Sequence, residues 1–309
     1  MLRNLMEKHG KLEVFARRIA TILSPIKKAL KRKTNKDKKA MKGSDSKKSI
    51  ADFKACLKKC NIVPGDIVLI HSSTDGLQSL QMKPNEIVDL IMEIFKGATV
   101  VFATFPIEPR KPKEVYKYNP NKTMCWTGML PNAFLQKPGI VRSLTPYNSL
   151  AAYGELTNDM MKDNILSETP HGEHSAWYYC YTHHAKILFV GTTSRESNTM
   201  AIHMVPDVMK EKWPIKDWYE KRQYQIVDNQ KVLEKTLFIQ KGFWYRYVNE
   251  YKTDKVLKDS GYLKIIKSGE TSIEIVNDSF EMLNFLINRC ENNQLMYSIP
   301  KKYYKKKHL

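Results

Sequence analysis

Histidines and short hydroxyl side chains are the residues of this 309-residue chain whose types and spacing could do chemistry. Five of the eight histidines, His171, His174, His183, His184 and His203, fall between positions 171 and 203. The His171-x-x-His174 pair has no HExxH context and no nearby cysteine, which argues against zinc. His203 follows an apolar run and a loop holding Glu196, Ser197 and Thr199. Its imidazole could take up a proton near neutral pH if a carboxylate fixed its tautomer. Spacing alone still favours a structural or surface histidine. Hydroxyl residues end two apolar runs, at Ser72-Ser73-Thr74 beside Gly76 and at Thr192-Thr193-Ser194 beside Gly191. Such residues could bind a phosphate or an amide-rich cofactor arm without crowding, or could be ordinary helix caps. Neither GxxxxGK[ST] nor GxGxxG is present, so P-loop and dinucleotide readings lack support.

The elements that must position these groups are legible from periodicity. DIVLIHSS (66–73), TVVFATF (99–105) and AKILFVGTT (185–193) read as buried strands. Ile87, Leu90, Ile91 and Ile94 form a helical stripe that Gly97 ends, and further helices are expected near 130–136 and 280–289. A hairpin is expected around Asp228-Asn229. Strand, helix and strand in this order predict an α/β fold, with a central sheet covered on both faces. Ligands in such folds gather at the carboxyl ends of the strands.

The formal charge of +19 belongs to the ends of the chain. Residues 1–50 hold sixteen Lys and Arg against four Asp and Glu, and residues 299–309 hold five Lys and no acid. The division expected is a basic amphipathic helix and linker over 1–48, a catalytic body over 49–298 and a basic tail over 299–309. Leu5, Leu12, Ile19 and Ile26 recur every seven residues, with Phe15 and Ile22 between them, in a helix interrupted near Pro25. A helix packed on the body, attachment to an anionic membrane surface and contact with nucleic acid compete for this segment. Nucleic acid ranks last, because Phe15 alone could stack on bases. Five cysteines without a CxxC pair read as unpaired thiols in a reducing compartment, and no apolar run is long enough to span a membrane. A cytoplasmic location follows, with peripheral attachment to the membrane's inner face as its refinement.

Three blocks together resemble the aminoglycoside 3-N-acetyltransferase family. GDIVLIHSSTDGL (65–77) resembles its opening signature, and TGMLPNAFLQKPGIVRSLTPYNSLAAYGE (127–155) its central one. HGEHSAWYYCYTHHAKILFVGTTSRESNTMAIH (171–203) is similar to the stretch that ends in the family's histidine. The resemblance covers roughly residues 50–300 and implies an α/β/α sandwich with a central mixed sheet. It also implies direct transfer of acetyl from acetyl-CoA to an amine, with no metal and no acyl-enzyme. His203 matches the general base. Ser72 and Ser73 match the loop that holds CoA; His71, Thr74, Arg142 and Ser143 are further cofactor-binding candidates, and His171, Glu173, His174 and Ser175 are the substrate-binding candidates.

The chain departs from the family where a glutamate usually stands three residues after the base. Pro206 occupies that position and Asp207 follows it. Asp207, Glu196 and Glu173 are the candidate carboxylate partners of His203, in that order. Thr199 lies four residues before His203 where the family has three, and Ala176 follows Ser175 where the family prefers proline. Basic ends on a nearly neutral body offer no steering for a polycation. The acceptor expected is therefore a small amino sugar carrying negative charge, linked to nucleotide or lipid diphosphate in surface-polysaccharide synthesis. Aminoglycoside acetylation is the alternative, and a non-catalytic protein binding membrane or polyanion is a third reading. Homo-oligomerisation stays open.

Overall fold

The computed structural model describes residues 2–22, 46–108, 115–197, 201–228 and 231–306. The helix interruption at Pro25, most of the expected linker, Thr199 and the turn residue Asn229 lie outside the described residues.

The three apolar runs form the centre of a seven-stranded sheet. β1 (Ile67–Ser72) lies between β2 (Thr99–Ala103) and β6 (Lys186–Val190), parallel to both. Strands covered on both faces need near-continuous apolar sequence, and these have it. Successive side chains of β1 alternate between two cores. Ile67 and Leu69 meet Trp177, Met204 and Leu283, whereas Val68 and Ile70 meet Phe53, Leu57 and Ile91. β5 (Leu150–Tyr153) and β4 (Val141–Arg142) extend the sheet antiparallel beyond β2. β10 (Thr271–Val276) and β9 (Leu263–Ser268) do so beyond β6.

One face is covered by α3 (Ser46–Lys59), α4 (Pro84–Ile94) and α5 (Met129–Phe134). The other is covered by α6 (Thr157–Met161), α7 (Ala176–Thr182), α8 (Ala201–Met209) and α10 (Ser279–Glu291). The result is the expected α/β/α sandwich with a mixed sheet. A separate three-stranded sheet joins β3 (Val115–Tyr118), β7 (Tyr219–Asp228) and β8 (Lys231–Gln240). β7 and β8 form the expected hairpin in a register that sets Asp228 opposite Lys231 and Tyr219 opposite Gln240.

Packing continues across both boundaries expected from charge. α3 already begins at Ser46, and Tyr304 bridges to Ile215 while the Lys305 N–H donates to Pro214 O at 2.8 Å. The N-terminal segment breaks at His9 into α1 (Leu2–Lys8) and α2 (Gly10–Ile22). Met6, Glu13 and Val14 are buried. The Glu13 carboxylate accepts the N–H groups of Glu250 and Tyr251, at 2.6 and 3.2 Å, and so caps the first turn of α9 (Glu250–Asp259). Leu5, Leu12, Phe15 and Ile19 remain exposed.

Candidate functional site

The loops after β1 and β6 meet at the carboxyl end of the sheet. A Cβ on Gly76 would stand 2.3 Å from Gly191 O, and one on Gly191 would stand 2.2 Å from Ser73 O. Gly191 also has φ +67°, which disfavours any side chain. Glycine at both positions therefore lets the two loops lie backbone against backbone. Glu274 on β10 steadies the second loop by accepting the Ser194 N–H at 2.6 Å, while Lys258 neutralises it at 2.8 Å. Arg195 of the same loop stacks on Tyr251 of α9, 4.5 Å from its ring centre.

These loops border a cavity of about 870 Å³, a size suited to a substantial organic ligand. His71, Ser72, Ser73, Thr192, Glu196 and His203 all line it. Phe105, Trp126, Tyr147, Asn148 and Tyr245 complete much of its wall, and none of these five stood out in the sequence. Ser73 also caps the following 3-10 turn by accepting the Asp75 N–H at 3.2 Å, so the capping reading of this hydroxyl holds as well. His71 lies stacked against Phe189, and burial lowers its pKa to about 4.

His203 reaches this cavity from α8. Its Nδ1 lies 2.9 Å from both Gln240 Oε1 and the Tyr297 hydroxyl. Burial is the main cause that lowers its pKa to about 3; the His171 imidazole adds to this and Gln240 opposes it. His203 is therefore a neutral imidazole at physiological pH.

The expected carboxylate partner is engaged elsewhere. Four residues along α8, Asp207 shares a helix face with His203 but meets His171. Asp207 Oδ2 accepts the backbone N–H of His171 at 3.1 Å and lies 3.0 Å from its Nδ1. Oδ1 accepts the Tyr219 hydroxyl at 2.8 Å. On its other side, His171 Nε2 lies 3.0 Å from Asn148 Nδ2. Glu173 pairs with Lys210 at 2.9 Å. Glu196 is on the cavity wall, with its N–H bonded to Thr193 Oγ at 3.2 Å.

Several expected contact residues face other tasks. The buried Arg142 guanidinium turns inward to the carbonyls of Thr104, Thr123 and Pro120, tying down the segment after β2. Ser143 donates to Thr145 O at 3.2 Å and is also buried. Thr74 lies against the Met129 sulfur. Ser175 caps α7 through the Tyr178 N–H at 3.0 Å. Glu173 and His174 line a second cavity, of about 730 Å³, with Asp207 in its wall. That wall also carries Glu168, Glu211 and Asp217 beside Trp213, Trp218 and Phe238, with Lys210 paired to Glu173 and Lys305 near Glu211, so its carboxylates outnumber its cations five to two. A neutral body thus still presents a locally acidic surface.

Among the described residues no cluster of His, Cys, Asp or Glu could hold a metal. All five cysteines are unpaired and buried, and burial pushes the Cys180 thiol far above its ordinary pKa. A buried protonated thiol is a poor nucleophile.

Comparison with solved structures finds the same fold at low identity. AAC-IIIb in its binary complex with CoASH is 18% identical with TM-score 0.64, over 80% of this chain and 97% of that one. A mutant of aminoglycoside acetyltransferase AAC(3)-IVa in complex with gentamicin is 17% identical with TM-score 0.64, over 85% and 95%. The YokD protein from Bacillus subtilis is 19% identical with TM-score 0.61, over 78% and 97%. No curated protein sequence matches the chain. The sequence profile described as aminoglycoside 3-N-acetyltransferase matches residues 69–287, which include both glycine loops, His203 and Gln240. The chain accordingly belongs to the aminoglycoside 3-N-acetyltransferase family, as an N-acetyltransferase whose cosubstrate is acetyl-CoA.

Proposed function

We propose that this enzyme acetylates an amino group of an aminoglycoside-like amino sugar, with His203 as the base. The observation that carries this reading is a neutral imidazole on the wall of the cavity bordered by the two glycine loops. The acceptor nitrogen attacks the thioester carbonyl carbon, a C–N bond forms and the C–S bond breaks. His203 receives the nitrogen's proton and returns it to the departing thiolate. Ser72, Ser73 and the backbone of the loops hold the CoA arm, and Tyr147, Trp126 and Tyr245 face the acceptor.

Two observations favour a cationic acceptor. Relatives of the same fold are solved with gentamicin, apramycin and sisomicin. The second cavity, with five carboxylates against Lys210 and Lys305 and Asp207 one helical turn from His203, also suits a cation. The test is thiol release with a panel of aminoglycosides and nucleotide-linked amino sugars, alongside calorimetric binding of acetyl-CoA to the wild type and His203→Ala. Binding by both proteins and turnover by the wild type alone support the reading. An enzyme that acetylates only the nucleotide-linked sugars would move the acceptor to polysaccharide precursors.

That second acceptor class draws on the N-terminal helices. Leu12, Phe15 and Ile19 share one exposed face of α2 beside Lys11, the pattern of a helix lying on an anionic membrane from the cytosolic side. No described helix is long and apolar enough to cross a membrane. Wild-type protein should co-sediment with phosphatidylserine vesicles, and Leu12→Glu with Phe15→Glu should abolish this. Equal sedimentation of both would remove the membrane reading.

A further inference from the structure

We propose that Gln240 and Tyr297 form a neutral clamp, made available by Pro206, that holds His203 in its Nδ1–H tautomer and directs its Nε2 lone pair to proton transfer. The inference rests on His203 being the base, and makes Gln240 and Tyr297 positioning residues.

Pro206 sits inside α8 and has no N–H, so the Ile202 carbonyl one turn earlier lacks its helical donor. The Tyr297 hydroxyl donates to that carbonyl at 3.5 Å. With its proton so directed, the hydroxyl oxygen meets His203 Nδ1 as an acceptor, at 2.9 Å. Gln240 Oε1 is a second acceptor at the same nitrogen, also at 2.9 Å. Two acceptors facing one ring nitrogen require a proton on it, and the neutral ring then carries its lone pair on Nε2. The Gln240 amide nitrogen is buried and has no hydrogen-bond partner.

The small sheet delivers the clamp. Gln240 and Tyr219 are directly opposed on β8 and β7, and their side chains leave the same face of the hairpin. They address His203 and Asp207, which lie one turn apart on α8. Tyr297 arrives from a bridge to Val248. Among the described residues, the other titratable groups around His203 are the Tyr245 ring at 5.3 Å, His171, Asp207 with its own partners, and His71, Tyr147, Glu196 and Asp75 on the cavity wall. A carboxylate in place of the Gln240 amide would favour the imidazolium form. The amide leaves the ring neutral well below pH 7.

The test joins ring-nitrogen NMR of His203 in the full-length protein with pH–rate profiles of Gln240 variants. Wild type should show protonated Nδ1 and unprotonated Nε2, unchanged from pH 8 to pH 5. Gln240→Leu should lower kcat about tenfold or more and leave the acetyl-CoA dissociation constant within about twofold. Gln240→Glu should move the acidic limb of kcat/KM up by about one pH unit or more. An Nε2–H tautomer, protonation of wild-type His203 near pH 6.5, or unchanged kcat in Gln240→Leu would each overturn the clamp. If Gln240→Leu does not fold, the wild-type spectrum and the Gln240→Glu profile decide. Turnover retained in His203→Ala would remove the base reading instead, a result separate from the tautomer observed.

Discussion

His171 and His203 are two buried imidazoles in adjoining parts of the molecule with opposite surroundings. His171 has a carboxylate on Nδ1 and an amide on Nε2, so both ring nitrogens are occupied. His203 has two neutral groups, the Gln240 amide oxygen and the Tyr297 hydroxyl, at Nδ1 and forms part of a cavity wall. Salt-bridge geometry alone would nominate His171, because a histidine–aspartate pair is a familiar base. Of the two, His203 lines the cavity that the glycine loops border. A structural histidine and a proton-transfer site make different demands: the first needs partners on all sides, and the second needs a lone pair directed at substrate.

Substitution at each histidine breaks the comparison most directly. His203→Ala should reduce turnover by about 10²-fold or more in a protein that still folds and binds acetyl-CoA. His171→Ala should instead act on stability, costing about 3 kcal/mol in urea unfolding, because it strips a buried carboxylate of its main partner. Reversed outcomes, with His171→Ala inactive but stable, would transfer the base role to the Asp207 pair.

Acid sharpens the contrast. His71 and His203 have folded pKa values of about 4 and 3, below the ordinary 6.5 of an unfolded histidine. The unfolded chain therefore binds protons first as pH falls through 6.5, and the folded state loses stability from there down towards pH 3. Between pH 7.5 and 5 each group should cost on the order of 2 kcal/mol, and His203→Gln should remove about half of the combined loss. A flat stability across that range would show that these rings are not buried as neutral species. The smallest effect is expected at the opposite end of the chain, where Glu13→Gln should weaken the cap on α9 by about 1 kcal/mol, read as a small drop in Tm.

The central sheet was legible because buried parallel strands write themselves as short apolar runs bounded by Gly and Pro. β1, β2 and β6 each occupy such a run. Ser72, Ser73 and His203 could be found for a related reason, since they follow or stand near those strands. Gln240 and Tyr297 could not. Each is a single residue, 37 and 94 positions from the histidine it meets, and only the pairing of β7 with β8 and the bridge at Val248 bring them close. Asp207 misled because helical spacing fixes which face a side chain takes but not which neighbour claims it. Arg142 differs: the family signature makes it a cofactor-side candidate, yet here its guanidinium bonds the carbonyls of Pro120, Thr123 and Thr104 and the hydroxyls of Thr104 and Ser149.

The contacts of Glu13 reach further than the helix it caps. Glu13 holds Tyr251, Tyr251 supports Arg195, and Arg195 belongs to the loop at the mouth of the cavity. Trimming the basic N-terminus to obtain a better-behaved protein would therefore remove a strut under a loop of the cavity wall, and weak acetyl-CoA binding by a truncated enzyme would report a lost support instead of a poor catalyst. The same linkage would carry tension on the N-terminal helices to the loop that holds Arg195.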